Sequence, residues 1–166
     1  MGRTLNEDIR NLVRLDFAPS HRQPSAVRVV VAAVVALVGS LLADALLVAI
    51  GTRVFPSTKG YVHFQFADYG KLTVIGVLGA CIAWPVVTRV SSAPRWLYFR
   101  LAVLVTVVLL APDVWILIHG APTKAVLVLV CMHLAIAVVT YNAMVRIAPV
   151  GELRHRGVDA VVPTEG

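Results

Sequence analysis

"VVVAAVVALVGSLLADALLVAI", residues 29–50, is apolar for 22 residues apart from Gly39, Ser40 and Asp44. A helix rises ~1.5 Å per residue, so this stretch reaches across a hydrocarbon core of about 30 Å. Three more runs have the same character: 72–88, 97–118 and 125–145, of which the second is barely long enough. Together the four hold 82 of the 166 residues. With 58% hydrophobic and only 14% charged residues, the chain lies outside the composition of soluble domains. The reading is an all-α membrane protein, a bundle of four transmembrane helices. Its domains are a leading segment 1–28, the bundle at 29–146 and a tail at 147–166.

The triplet Ala43-Asp44-Ala45 has the small-x-small look of a signal-peptide cleavage site. Twenty-eight residues precede the first run, however, and the run continues beyond the triplet, so a span is expected rather than a cleaved signal.

The net charge of +6 invites a nucleic-acid reading, which its distribution opposes. Lys and Arg number 11 in the leading segment, the second connection and the tail, against 4 in the other two connections. The positive-inside rule then puts both termini in the cytoplasm of a multi-pass inner (plasma) membrane protein, with no nucleic-acid partner. Trp84, Trp96, Tyr98 and Tyr141 fall near the predicted inner ends, Tyr69 and Trp115 near the outer ends, where amphipathic rings favour the headgroup level.

Outside the spans, "TLNEDIRNLVRLDF", residues 4–17, sets Thr4 and Glu7 at capping-box spacing. Leu5, Ile9, Leu12, Val13 and Phe17 follow on one helical face, which predicts a short amphipathic helix against the inner leaflet or a partner subunit. The longest connection, 52–70, contains "YVHFQF", whose alternation puts Val62, Phe64 and Phe66 on one side of a half-buried strand. A lone strand is unstable in water, so the segment is expected to form an ordered outer lid on the bundle, in the interface or against another chain. The tail from Pro149 has no apolar period and reads as disordered.

Steps of four through the spans locate the packing faces. Span one gives Ala32, Ala36, Ser40 and Asp44, a stripe of small residues that turns Asp44 into the bundle. Span two offers Gly76, Gly79, Ala80 and Ala83 in the same style, span three Ala102, Thr106, Leu109 and Asp113, and span four Leu129, His133, Ala137 and Tyr141. Measured from the outer ends, Asp113, Asp44 and His133 lie ~7, ~10 and ~14 Å deep, so a polar cluster of the three in the outer half is expected. A charge at such depth costs a few kcal/mol unless a partner, water or a proton compensates. Two uses are open to it: setting helix register by local hydrogen bonds, or binding a proton or ligand. Cys81 and Cys131 lack a Cys-x-x-Cys spacing and read as inert apolar residues. No nucleophile motif, phosphate loop or metal-ligand spacing is present, so neither catalysis, metal nor cofactor is expected.

The stretch 71–149, with "PRWLYFRLAVLVTVVLLAPDVWIL" and "VLVCMHLAIAVV", resembles a group of small actinobacterial four-helix membrane proteins of unknown function. In that group a proline late in the third helix and a histidine in the fourth recur, here Pro112 and His133. The resemblance implies topology and origin but no mechanism. The role expected is an accessory or assembly subunit of a larger envelope complex, for example a lipid-transport or respiratory one, whose partners are membrane lipids and other integral subunits. The alternative is a small oligomeric proton-coupled transporter that uses Asp44.

Overall fold

A computed structural model describes residues 21–152. The predicted amphipathic face of Leu5, Ile9, Leu12, Val13 and Phe17 lies outside them, as does the tail beyond Glu152. Four helices dominate the described chain: α1 (Ala26–Val54), α2 (Phe66–Val90), α3 (Pro94–Ile118) and α4 (Thr123–Ile147). All four are long and apolar enough to cross a membrane, and the chain is a multi-pass membrane protein. Each helix outruns its apolar run at both ends or at one, most of all α2, which starts six residues before position 72. Hydropathy marks only the part that meets hydrocarbon. Helical hydrogen bonding continues into the polar ends, where satisfying the backbone internally is still favourable.

The termini end of the bundle is clasped. His21–Arg22 (β1) pairs antiparallel with Gly151–Glu152 (β2), in the register His21 to Glu152 and Arg22 to Gly151. The first residues of the expected disordered tail are therefore ordered, because α4 runs on to Ile147 and the chain beyond finds a backbone partner. The Thr88 carbonyl accepts from Gln23 Nε2 (2.8 Å) and lies 2.7 Å from His21 Nε2, while the Thr88 hydroxyl donates to Gln23 Oε1 (2.7 Å). Below the clasp, Ala32, Ala36, Val77, Trp84, Tyr98 and Met144 belong to one buried apolar cluster. Trp84 Nε1 donates to the Ala148 carbonyl (2.9 Å), and Tyr98 Oη to the Ala80 carbonyl (3.1 Å). Tyr98 also meets Trp84 edge-on and stacks on Tyr141.

The opposite end carries the cap. Where alternation predicts a strand at 61–66, the chain instead makes two 3₁₀ turns, Pro56–Thr58 and Val62–Phe64, and Phe66 opens α2. Tyr61 O accepts from Phe64 N (3.0 Å) and Val62 O from Gln65 N (3.2 Å), so the backbone is satisfied locally, which an unpaired strand cannot do. The expected shared face is lost as well. Phe64 packs inward with Tyr61 against Tyr69, Val128, Leu129 and Met132, while Val62 and Phe66 are 54% and 64% exposed.

The packing face expected of α1 is the one that is buried: Ala32, Ala36, Ser40 and Asp44, with Gly51 added. That of α2 holds only in part: Ala83 packs against the termini-side cluster and Ala80 is half-buried. Gly76 and Gly79 face outward with nothing near them, and the interior stripe is Tyr69, Thr73, Val77, Cys81, Trp84 and Thr88. Small residues serve close backbone approach, and α2 instead fills its space with large side chains. On α3, Leu109 is 42% exposed, and burial is confined to Pro94, Leu97 and Tyr98 at one end and Asp113 at the other. Pro85 and Pro112 sit inside continuous helices.

Gly51 of α1 lies close against α4: a Cβ there would stand 2.6 Å from Val128 Cγ2 and 3.1 Å from its Cγ1. Valine is stiff at χ1, so Gly51→Ala is expected to destabilise the bundle by about 1–3 kcal/mol. Gly76→Ala, with open space around it, should cause no loss. Equilibrium unfolding in mixed detergent compares the two.

Candidate functional site

Between the two apolar clusters runs a layer of polar side chains. Ser40 of α1 lies 3.5 Å from Thr140 of α4, hydroxyl to hydroxyl. One turn nearer the cap, the small stripe of α1 delivers Asp44 to the interior with no exposed surface. Thr73 Oγ1 of α2 donates to Asp44 Oδ2 at 2.6 Å, whereas Asp44 Oδ1 is buried without a hydrogen-bond partner. Across the bundle, Asp113 of α3 is 5% exposed and follows Pro112 directly.

His133 of α4 stands beside Asp113, with Nδ1 3.1 Å from Asp113 Oδ2 and 3.0 Å from the Leu129 carbonyl. Its two near neighbours are both acceptors, so Nδ1 carries the hydrogen. That hydrogen is directed along the helix to Leu129. Asp113 Oδ2 is within ion-pair distance yet, like Asp44 Oδ1, has no hydrogen bond aimed at it. His133 is also within electrostatic reach of Asp44. The three residues expected to cluster, Asp44, Asp113 and His133, are thus brought to one region of the bundle, with the imidazole adjoining Asp113 and the nearest hydrogen bond to Asp44 coming from α2.

The cap extends this cluster to the rim. His63 Nδ1 lies 2.7 Å from Asp68 Oδ2, each side chain 42% exposed, and His63 is within electrostatic reach of Asp113. Burial, and after it the Asp113 charge, pushes the Tyr61 phenol above its ordinary range. Tyr69, near the cap-side end of α2, is 9% exposed and near enough to Asp44 to feel its charge. Two acid–imidazole contacts are thus formed, Asp68 with His63 at the exposed rim and Asp113 with His133 inside, with Asp44 held by Thr73.

Sequence reasoning missed Thr73, Tyr61, His63, Asp68 and Tyr69. For Thr73 the signal was faint: a hydroxyl early in a span, four residues from a tyrosine. His63 and Asp68 lie five apart across a loop–helix junction, a spacing with no meaning until the turn at Val62–Phe64 is formed. Cys81 is buried in the termini-side cluster and Cys131 half-buried; both are free thiols. Among the described residues, no three His, Cys, Asp or Glu side chains converge to hold a metal ion.

These observations define a class: a four-helix, multi-pass membrane protein with an acid–imidazole cluster buried toward its capped end. The chain belongs to the DUF6069 family, a family of unknown function, through residues 17–149. The matched segment takes in 71–149 and adds the first helix with Asp44. No curated protein and no solved structure gives a match.

Two outcomes are expected at this site. Thr73→Val removes the donor to a fully buried carboxylate and should cost about 1–3 kcal/mol, most of which Thr73→Ser restores; unfolding in mixed detergent measures both. Asp113→Asn removes a negative neighbour of Tyr61, so the phenol should ionise at lower pH than in the parent, read by ultraviolet difference titration against Tyr61→Phe.

Proposed function

We propose that this protein is a non-catalytic accessory or assembly subunit of a larger complex in the plasma membrane of an actinobacterial cell, for example a lipid-transport or respiratory assembly. The distribution of lysine and arginine supports a cytoplasmic clasped end, with both termini inside, and an outer cap. Membrane lipids and other integral subunits are its partners, and nucleic acid is not.

The observation that carries this reading is the cap. Two short turns hold it against the bundle, yet Val62 and Phe66 project outward, 54% and 64% exposed, on a segment whose backbone is already satisfied. Large apolar side chains on a pre-organised surface suit protein contact, because little ordering entropy remains to be lost on docking. The lateral surface suits it too. Between Tyr98 and Asp113, α3 buries no residue and turns Val103, Leu104, Val107 and Val108 away from the bundle, toward lipid or toward the spans of a neighbour.

A second reading is a proton-coupled transporter working as an oligomer, favoured by the unpartnered Oδ1 of Asp44. The packing of Trp84, Met144 and Tyr98 weighs against a path through one bundle, since their side chains fill the termini-side interior.

Purification from native membranes is expected to bring down a stoichiometric integral partner. Val62→Glu with Phe66→Glu should weaken that association about tenfold or more while the chain still folds. Recovery of the chain alone, at full yield from mild detergent, overturns the accessory role. Proton-gradient-driven uptake by the isolated chain in liposomes, abolished by Asp44→Asn, establishes the transporter instead.

A further inference from the structure

We infer that the cap half of the bundle is a proton-binding site filled from the cap side, in which one exchangeable proton is held on the buried carboxylates Asp44 and Asp113 and enters past His63 at the rim. The inference concerns the chain by itself and stands whether or not a partner subunit exists.

Charge balance is the first argument. The cluster sets three carboxylates, Asp44, Asp68 and Asp113, against two imidazoles, His63 and His133. Among the described residues, no lysine or arginine pairs with any of these acids. His63 and Asp68 balance each other at the half-exposed rim, so the interior sets Asp44 and Asp113 against His133 alone, and even a cationic His133 leaves one carboxylate charge in surroundings where an isolated charge costs several kcal/mol.

The second argument is independent of charge. Asp44 Oδ1 is a fully buried acceptor with no donor, and Asp113 Oδ2, in a residue 5% exposed, has near it only the His133 Nδ1 hydrogen, which is directed to Leu129. Orphaned buried acceptors are rare, and each points to something that completes it. A proton meets both needs, because it cancels the surplus charge and turns one acceptor oxygen into a hydroxyl that can donate.

The groups facing the two acids define the route. Asp44 is faced by Thr73 and Tyr69 of α2 and by His133 of α4. Asp113 is faced by His133 of α4 and by His63 and Tyr61 of the cap. His63, paired with Asp68 on the rim and 42% exposed, is the imidazole of the cluster that meets water. His133, whose Nδ1 hydrogen is directed to the Leu129 carbonyl, adjoins Asp113 and lies within electrostatic reach of Asp44, so it biases which of the two acids holds the proton. Toward the termini the chain of polar groups stops at Ser40 and Thr140. Beyond them lie the buried Ala36, Ala32, Trp84, Tyr98 and Met144, with the Trp84 and Tyr98 donors already spent on the Ala148 and Ala80 carbonyls. The site is therefore one-sided: it binds a proton and does not conduct it.

The test is infrared difference spectroscopy of the full chain in sealed liposomes of one orientation, with pH changed on one side at a time. Acidifying the cap side is expected to produce a protonated-carboxyl C=O band that Asp44→Asn abolishes and Asp113→Asn shifts or diminishes. Because Asp44→Asn could impair folding, His63→Gln at the half-exposed rim provides the second reading, and it should slow the band's rise about tenfold or more. The inference is overturned by a band indifferent to both Asn substitutions, by equal filling from the termini side, by an unaltered rate in His63→Gln, or by no band at all. A partner subunit is absent throughout, so these results leave the accessory role to its own test.

Discussion

Asp44 must be housed in a layer where water cannot solvate it, and the bundle is arranged around that requirement. A carboxylate in hydrocarbon is stabilised only by donors or charges brought to it, and Thr73 at 2.6 Å is the donor that α2 supplies. For that bond to form, α1 must present one particular face to α2 and α4. The same face is lined by Ala32, Ala36 and Ser40, whose small side chains let the helices close to the distance the bond needs. Helix rotation, spacing and axial register are thus tied to one buried acid. The polar layer separates two apolar clusters, and this division gives the molecule two dissimilar halves.

The termini half is shut by side chains that combine bulk with a satisfied polar tip. Trp84 and Tyr98 fill volume as hydrophobes, and each spends its single donor on a backbone carbonyl, so no unpaired group remains to draw in water. The strand clasp and the Gln23–Thr88 hydrogen bonds fasten residues 21–23 and 151–152 over this plug. The capped half is closed differently. Its turns satisfy their own backbone and bring Tyr61, His63 and Phe64 over the cluster, with His63 left at the rim. A sealed end and a polar, rimmed end make the two faces of the protein unequal in what they can exchange with their surroundings.

The shared family segment, 17–149, contains both halves: the plug, the polar layer and the whole cap. Within it, α3 is the least enclosed helix, held at its two ends by Tyr98 and Asp113 and otherwise turned outward. Its attachment to the bundle is therefore partly electrostatic, through the Asp113–His133 pair. The protonation state of the cluster and the seating of α3 are physically coupled, since changing the charge of either partner changes their attraction.

Four spans, an inward Asp44 and the proximity of Asp113 to His133 were legible in the sequence, because apolarity and the 3.6-residue period are local properties that any window of the chain displays. Depth along a helix is equally local, at a fixed rise per residue, so residues of similar depth could be matched before any contact was known. Other features were decided only by the tertiary structure. The glycines of α2 face outward because Val77 and Trp84, not close backbone approach, fill its share of the interior. The alternating "YVHFQF" became a turn because no second strand was there to pair with it. Thr73, Tyr61, His63 and Asp68 joined the site because neighbouring helices and the cap carry them there. Sequence spacing records which residues share a face, and it holds no record of what stands across from that face; that depends on the rotation and register of helices packed against one another.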